Sequence, residues 1–241
     1  MLKFSKIKKW LLDIMFPVNC LGCGLEGNWL CPECLNKIKN QTTAVCPVCR
    51  RETVGNVCGQ CSTKTYLDGL LVCTSYDNVL TQKILHTLKY NYIEEIARIL
   101  SAKMTDYLDF IDKKDRLVIL QDQLNTILVP VPLHPKRQLE RGFNQAELLA
   151  WEINKKYGFI YKPKLLKRKH YTKPQAQLSR KERLRNLSSV FALTKPFHLS
   201  GKNVIIIDDV ATTLSTLNEC AKVLKKNNCR QVWGLVVARG G

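Results

Sequence analysis

One stretch constrains this chain more than any other: Val204, Ile205, Ile206 and Ile207, then Asp208 and Asp209, then Val210, Ala211, Thr212, Thr213, Leu214, Ser215 and Thr216. Four successive β-branched residues with no polar alternation are the pattern of a strand buried on both faces of a parallel sheet. Two carboxylates then stop it. Beyond the hydroxyl-rich turn, Leu217, Cys220, Ala221 and Leu224 fall at the spacing of one helix face. The segment reads strand, acidic pair, turn, helix, which is a unit of an α/β fold.

That order puts ligand-binding groups at the carboxyl end of a parallel strand, where open α/β sheets bind their substrates. Thr212, Thr213, Ser215 and Thr216 can surround a phosphate with hydroxyls, and the amides opening the helix add the positive ends of peptide dipoles. Asp208 and Asp209 suit neither a phosphate nor an apolar core. They suit a diol, or a hydrated Mg²⁺ held beside a phosphate. Phosphoribosyl pyrophosphate carries a ribose, a 5′-phosphate and a metal-binding diphosphate, and so satisfies all these groups together. A capped helix alone needs a single acceptor, which leaves the second carboxylate and the hydroxyl cluster without a purpose.

The stretch resembles the phosphoribosyl-pyrophosphate loop of type I phosphoribosyltransferases, in which two acidic residues precede a turn of the form Thr-Thr-Gly-x-Thr. The resemblance implies that Asp208 and Asp209 hold the ribose, with Val210 and Ala211 leading into a phosphate loop of Thr212, Thr213, Leu214, Ser215 and Thr216. Leu214 stands where that family has glycine. If the backbone takes a positive φ there, leucine costs roughly 1 to 3 kcal/mol, and its side chain is placed to crowd a phosphate.

The second informative feature is cysteine. Eight of the eleven occur as four Cys-x-x-Cys pairs within 42 residues: Cys20 and Cys23, Cys31 and Cys34, Cys46 and Cys49, Cys58 and Cys61. With no secretory signal in the opening residues the expected compartment is reducing, where such pairs bind metal rather than form disulfides. Each pair presents two thiolates to a tetrahedral Zn²⁺, so four pairs supply two Cys₄ sites. Neighbouring pairs are expected to share an ion, though a cross-braced arrangement uses the same eight ligands. Closed sites of this kind are usually structural, because so short a segment cannot bury enough apolar surface to fold alone, with contact to nucleic acid or protein through Arg50, Arg51 and Lys64 as the alternative. Cys73, Cys220 and Cys229 sit among apolar neighbours and read as small core residues.

At 241 residues there is room for one α/β domain and something smaller. The expected division is a metal-binding module over 1–64, opened by a short amphipathic helix within 1–16, and a ligand-binding domain over 65–241. Packing of that helix on the protein is expected, with weak membrane-surface attachment as the lesser reading. No stretch approaches the roughly 20 apolar residues that a spanning helix needs.

The net charge is +18, and it is unevenly placed: residues 127–241 hold 22 basic and 7 acidic groups. This asymmetry points to a polyanionic partner. Ten of the basic residues fall within 162–185, against the single acid Glu182. Lys167, Arg168, Lys169, Arg180, Lys181, Arg183 and Arg185 are the candidates there, either for closing over a diphosphate or for following a nucleic-acid backbone. Arg141, Asn144 and Gln145, at a loop-to-helix junction, are candidates for the diphosphate. The alternative for that junction is helix capping with a solvated basic face.

The remaining chain reads as a strand at 69–76, helices at 79–90 and 92–110, a turn at 112–115, a strand at 127–131 that should end or lose a ladder bond at Pro130, a helix at 146–156, and strands at 191–193 and 232–238. Lys89 and Tyr90 close a helix and read as a solvated lysine and a packed tyrosine, with the ligand cleft as the lesser alternative.

Together these pieces resemble the ComF family of competence-associated proteins across nearly the whole chain. The residues that carry the likeness are the four cysteine pairs, Leu88-Lys89-Tyr90, Val129-Pro130-Val131-Pro132-Leu133-His134, Arg141-Gly142-Phe143-Asn144-Gln145, Pro174-Gln175, Leu178-Ser179-Arg180, Arg183 to Asn186, and Ile207-Asp208-Asp209-Val210. The resemblance implies a type I phosphoribosyltransferase-like parallel sheet flanked by helices, preceded by a small double zinc ribbon. It also implies a cytoplasmic role in natural transformation, handling single-stranded DNA beside other DNA-uptake or recombination proteins. Two classes of function are thus expected: a DNA-handling protein with a phosphoribosyl site holding Mg²⁺ and phosphoribosyl pyrophosphate, or an enzyme that transfers ribose 5-phosphate to a base or amine.

Overall fold

The computed structural model describes residues 17–91, 93–169 and 190–240. The elements in chain order are α1 (Pro32–Lys37), β1 (Ala44–Val45), β2 (Glu52–Thr53), β3 (Gly69–Ser75), α2 (Val79–Tyr90), α3 (Glu94–Asp115), α4 (Val118–Gln121), β4 (Thr126–Pro130), α5 (Pro135–Arg141), α6 (Gln145–Tyr157), β5 (Ile160–Tyr161), β6 (Leu166–Arg168), β7 (Phe191–Leu193), β8 (Asn203–Ala211), α7 (Ser215–Lys225) and β9 (Gln231–Arg239). The central sheet has the order β3-β9-β8-β4-β5, and every neighbouring pair in it is parallel. Helices flank it. This is the α/β architecture expected from the sequence.

The apolar run at 204–207 works as a two-sided strand. Val204 and Ile206 belong to the core packed under α7, whereas Ile205 and Ile207 belong to the core under α2, α3 and α6. All four are 1% exposed or less, so alternate side chains supply opposite cores and no polar position survives. β4 divides in the same way, with Ile127 and Val129 to one side and Leu128 to the other. Pro130 ends β4 opposite Ile207, beyond the two residues at which β5 pairs. Its missing donor therefore falls where the ladder has already stopped.

The cysteine-rich part shares the core of the sheet. Leu30, Cys31, Cys34 and Ile38 are buried in the same cluster as Leu71, Cys73, Leu100 and Met104. It also covers an edge. β3 is an outer strand, and its free polar groups are satisfied by the preceding segment: Leu70 N donates to Gly55 O at 2.9 Å and Gln41 N to Cys73 O at 2.8 Å. The Thr74 hydroxyl adds a bond to Lys39 O at 2.7 Å. An open edge is a template for unwanted strand pairing, and here the metal-binding segment closes it.

The sequence reading of a turn at 112–115 is corrected, since α3 continues to Asp115 before Arg116 caps it in the left-handed region. Ile111 stays buried, and Lys113 and Lys114 in the last turn complement the negative end of the helix dipole. The helix α5 is a second difference. His134 Nδ1 accepts from Lys136 N at 3.2 Å to open it, and Gly142 at φ 76° ends it, so the basic residues ahead of α6 lie on a helix of their own. The reading of residues 1–16 lies outside the described residues.

Candidate functional site

Asp208 and Asp209 occupy the carboxyl end of β8, where Asp208 stands opposite Val236 in the ladder with β9. Asp208 Oδ1 accepts from the Asp209 amide and Asp209 Oδ1 from the Val210 amide, each at 2.9 Å. Asp209 is 4% exposed, and Lys89 Nζ lies 3.1 Å from its Oδ2. Burial, followed by the adjacent Asp209 charge, pushes the Asp208 carboxyl well above the usual carboxylate range, with Lys89 pulling the other way. Two carboxylates forced together at a buried sheet end favour whatever neutralises or hydrogen-bonds them, which fits the donor set of a diol or a hydrated Mg²⁺.

The turn that follows settles the Leu214 backbone. Leu214 takes φ 44° and ψ −8°, the left-handed conformation, at the N-cap of α7. Glycine adopts this geometry freely and leucine does so under strain. Its side chain packs against the core under α7 while also lining the recess formed with Asp208, Thr212, Thr213, Ser215 and Thr216. Thr213 Oγ1 and Ser215 Oγ stand 3.0 Å apart. Thr212, Thr213, Ser215 and Thr216 line one recess, and the Ser215 amide donates to Thr213 O within it.

The end of α2 reaches this site, contrary to the sequence reading. Lys89 is paired with Asp209, and Tyr90, 61% exposed, lies beneath the Arg141 guanidinium, whose Cζ is 5.2 Å from the ring centroid. The signal in the sequence is a basic residue and an aromatic one closing a helix, and only the packing of α2 beside β8 gives it meaning.

The set Arg141, Asn144 and Gln145 divides by role. Asn144 Oδ1 accepts from Ala146 N at 3.1 Å and caps α6, while its Nδ2 donates to Val131 O at 3.0 Å. That residue serves the junction. Gln145 is buried at 4% exposure, and Arg141 on its half-buried perch keeps a charged group above Tyr90.

Arg168 differs from its neighbours. Its Cζ sits 5.6 Å from the Phe191 ring. Burial, then the charge of Arg137, holds its pKa below the ordinary arginine value, with Asp208 acting in the opposite sense. Arg168 is therefore within electrostatic reach of the acidic pair, whereas Lys167 and Lys169 are exposed on either side of it. Arg180, Lys181, Arg183 and Arg185 lie outside the described residues.

The cysteines fall into two sets, Cys20, Cys23, Cys31 and Cys34, and Cys46, Cys49, Cys58 and Cys61, with the sulfurs of each within 4.8 Å of one another. Neighbouring pairs share a site, and the cross-braced alternative is not the arrangement seen. Cys23 and Cys31 Sγ are 3.7 Å apart and Cys49 and Cys58 Sγ 3.6 Å. A tetrahedron with Zn–S bonds of about 2.3 Å has edges of about 3.8 Å, so the residues fit Zn²⁺. A Cβ at Gly22 would stand 2.5 Å from Cys34 Sγ, hence the glycine inside the first pair.

Thiol acidity is prepared as well. For Cys20, burial acts to raise the pKa, but amide donors from Cys31, Cys23 and Gly22 outweigh it and bring the thiol down to about 6. Cys46 is likewise lowered to about 6 by amides of Cys49, Cys58 and Val48 acting against burial. Burial pushes Cys34 and Cys61 up to about 12. Cys73, Cys220 and Cys229 are all buried, as the sequence suggested. Among the described residues no helix is long and apolar enough to cross a membrane.

These features define an α/β protein with a carboxylate and hydroxyl loop at the carboxyl end of a parallel sheet and two four-cysteine metal-binding clusters closing the sheet edge. Competence protein F of Haemophilus influenzae is 30% identical over 236 residues, which is 92% of this chain and 98% of that protein. The DNA utilization protein YhgH of Escherichia coli strain K12 is 31% identical over 214 residues, 87% of this chain and 91% of that one. The chain belongs to this ComF family. No protein-family model matches it. The solved purine phosphoribosyltransferase of Pyrococcus horikoshii aligns with 71% of this chain and 87% of its own at 14% identity and a TM-score of 0.32.

Proposed function

We propose that this protein binds phosphoribosyl pyrophosphate with Mg²⁺ at 208–216 and single-stranded DNA through the basic segment that begins at β6, as a cytoplasmic component of DNA uptake. The observation that carries the ligand half is the adjacent pair of half-buried Asp208 and buried Asp209 ahead of a hydroxyl loop whose Leu214 is left-handed. The competence and DNA-utilization names of the relatives support the DNA half.

In this reading Asp208 and Asp209 accept the ribose hydroxyls, and Thr212, Thr213, Ser215, Thr216 and the opening amides of α7 hold the 5′-phosphate. Mg²⁺, when bound, offsets the charge of the diphosphate. Arg141, held above Tyr90, and Arg168, held above Phe191, are the guanidinium groups suited to the diphosphate oxygens. Lys89 anchors the Asp209 carboxylate. A second reading, transfer of ribose 5-phosphate to a base or amine, draws on the same intact pair, with the guanidiniums stabilising the departing diphosphate.

Calorimetry of the zinc-loaded protein with phosphoribosyl pyrophosphate and Mg²⁺ tests the ligand half. Binding is expected for the wild type and loss of it for Asp208→Asn. No heat for the wild type beside tight binding for Leu214→Gly would overturn the reading and assign the cause to the leucine. Release of diphosphate on adding an amine or base acceptor would favour the transferase.

A further inference from the structure

A second cavity, of about 330 Å³, lies away from the acidic pair, between the β1–β2 hairpin of the second cysteine cluster and the ends of β3 and β9. Thr43, Arg50, Thr74, Ser75, Asp77 and Arg239 supply its polar lining, and Tyr107 and Val72 part of its apolar wall. Sites for small organic ligands typically span about 300 to 1,000 Å³. The recess beside Thr212 to Thr216 holds only about 30 Å³.

Two guanidinium groups converge on this space. Arg239 is the last residue of β9, and its Nη2 donates to Pro47 O at 2.7 Å. Its Nε is buried and has no acceptor among the described residues. Arg50 lines the same space, and among the described residues neither guanidinium is paired with a carboxylate. Like charges brought together at a partly buried wall leave a place for an anion. Asp77, whose Oδ2 accepts from the Ser75 hydroxyl at 2.9 Å, lines the same wall and forms no ion pair with either arginine among the described residues.

Arg50 carries a further mark. It follows Cys49 at φ 61°, a left-handed conformation, while the first cluster has Gly24 at φ 79° in the matching place after Cys23. One knuckle uses the residue that adopts this geometry freely, and the other tolerates strain of order 1 to 2 kcal/mol to place a guanidinium at the cavity.

We propose that this cavity binds a 5′-mononucleotide group, with Arg50 and Arg239 on the phosphate and Thr43, Thr74, Ser75 and Asp77 facing the donors of base and sugar. A bidentate guanidinium suits phosphate oxygens, and a carboxylate beside hydroxyls suits an exocyclic amine. A free nucleotide and the 5′-terminal nucleotide of a strand present the same groups. Because Arg50 hangs on the second metal knuckle, the site joins that cluster to the sheet edge beside the phosphoribosyl loop: Gly240 N, next to Arg239, donates to Ala211 O at 3.1 Å.

The test uses full-length, zinc-loaded protein carrying Asp208→Asn, so that loss of the phosphoribosyl site leaves this one in place. Titration with dAMP, dCMP, dGMP and dTMP and with the matching nucleosides is followed by calorimetry. At least one mononucleotide is expected to bind tenfold or more tightly than its nucleoside. Arg50→Gly should remove that margin while zinc content and melting temperature hold or rise, since glycine relieves the left-handed backbone. Equal binding of nucleotide and nucleoside, no binding of any mononucleotide, or full binding by Arg50→Gly would overturn the proposal. A 5′-phosphorylated oligonucleotide that displaces the mononucleotide identifies a strand end as the ligand; displacement by free nucleotides alone identifies the soluble form.

Discussion

Lys89 Nζ stands 3.1 Å from Asp209 Oδ2, which ties the last turn of α2 to the carboxyl end of β8. The lysine side chain is 26% exposed and the carboxylate 6%, so the pair is more than a surface contact and less than a fully buried one. Removing one partner strands a charge at the sheet end. Lys89→Met should lower unfolding free energy by about 1 to 2 kcal/mol, between the values of surface and buried pairs. It should also raise the Asp208 pKa further, because Lys89 is the counterweight to Asp209 there. Thermal melts of both proteins across pH 4 to 8 check both effects, and superimposable curves would refute them.

Asp208 makes its own prediction. Its pKa is raised by burial and then by Asp209, so the folded protein holds that proton more tightly than the unfolded chain. Stability contributed by the protonated form is present at low pH and is lost as pH rises from the unfolded value toward the folded one. Asp208→Asn removes the penalty at neutral pH. The ligand-free variant should melt higher than the wild type at pH 7.5, by about 2 to 4 °C for each kcal/mol relieved, although it forfeits the ribose site. A lower melting point would mean that the pair is already neutralised.

Leu214 separates strain from packing. Glycine relieves the φ of 44° but forfeits the side chain that packs against the core under α7. Both effects are of order 1 to 2 kcal/mol, so Leu214→Gly should stay within about 1 kcal/mol of the wild type in urea unfolding. A loss above about 3 kcal/mol would show that the leucine is chiefly a core residue.

The metal sites predict two Zn²⁺ per chain by elemental analysis, falling to one in Cys34→Ser and to one in Cys61→Ser. Cys20 and Cys46, each lowered to about 6, supply a thiolate to each site at neutral pH before metal arrives. Every ligand must be deprotonated to hold Zn²⁺, so zinc affinity of the metal-free protein should fall more steeply once pH drops through that value, as a competition titration with a chromophoric chelator would show. Chelation also loosens the cover over β3, and aggregation by light scattering should follow metal loss. Retention of a monodisperse protein after complete removal of zinc would contradict that link.

The parts of this molecule readable in its sequence are those whose physics is local. The strand 204–207, the loop after it and the cysteine sets follow from short-range rules: alternation absent, hydroxyls in series, two residues between thiols. The left-handed turn at Leu214 is legible as a conditional, since a glycine position filled by leucine is a matter of backbone sterics. What stays hidden depends on tertiary packing. Lys89 reads as a solvated helix end until α2 is laid beside β8. Asn144 reads as a ligand group until Val131 O and Ala146 N occupy both ends of its amide. Arg50 and Arg239 are 189 positions apart by their numbering, and only the closure of the β3 edge by the second cluster brings them to one wall.

The basic segment gives the last prediction, and β6 divides it. Lys167 and Lys169 are exposed on the flanks of Arg168, while Arg168 is half-buried over Phe191. Cations that neutralise phosphates release counterions, and each such charge removed should flatten the salt dependence of log affinity for a single strand by about 0.7. Replacing Lys167, Lys169, Arg180 and Arg183 by glutamine should weaken single-stranded DNA binding and flatten that slope, measured by fluorescence anisotropy between about 50 and 200 mM salt. Arg168→Gln should leave the slope nearly unchanged and instead weaken phosphoribosyl pyrophosphate. If the four-residue variant binds DNA with the slope of the wild type, the strand is held elsewhere. If Arg168→Gln alone flattens the slope, this arginine serves the strand rather than the acidic pair.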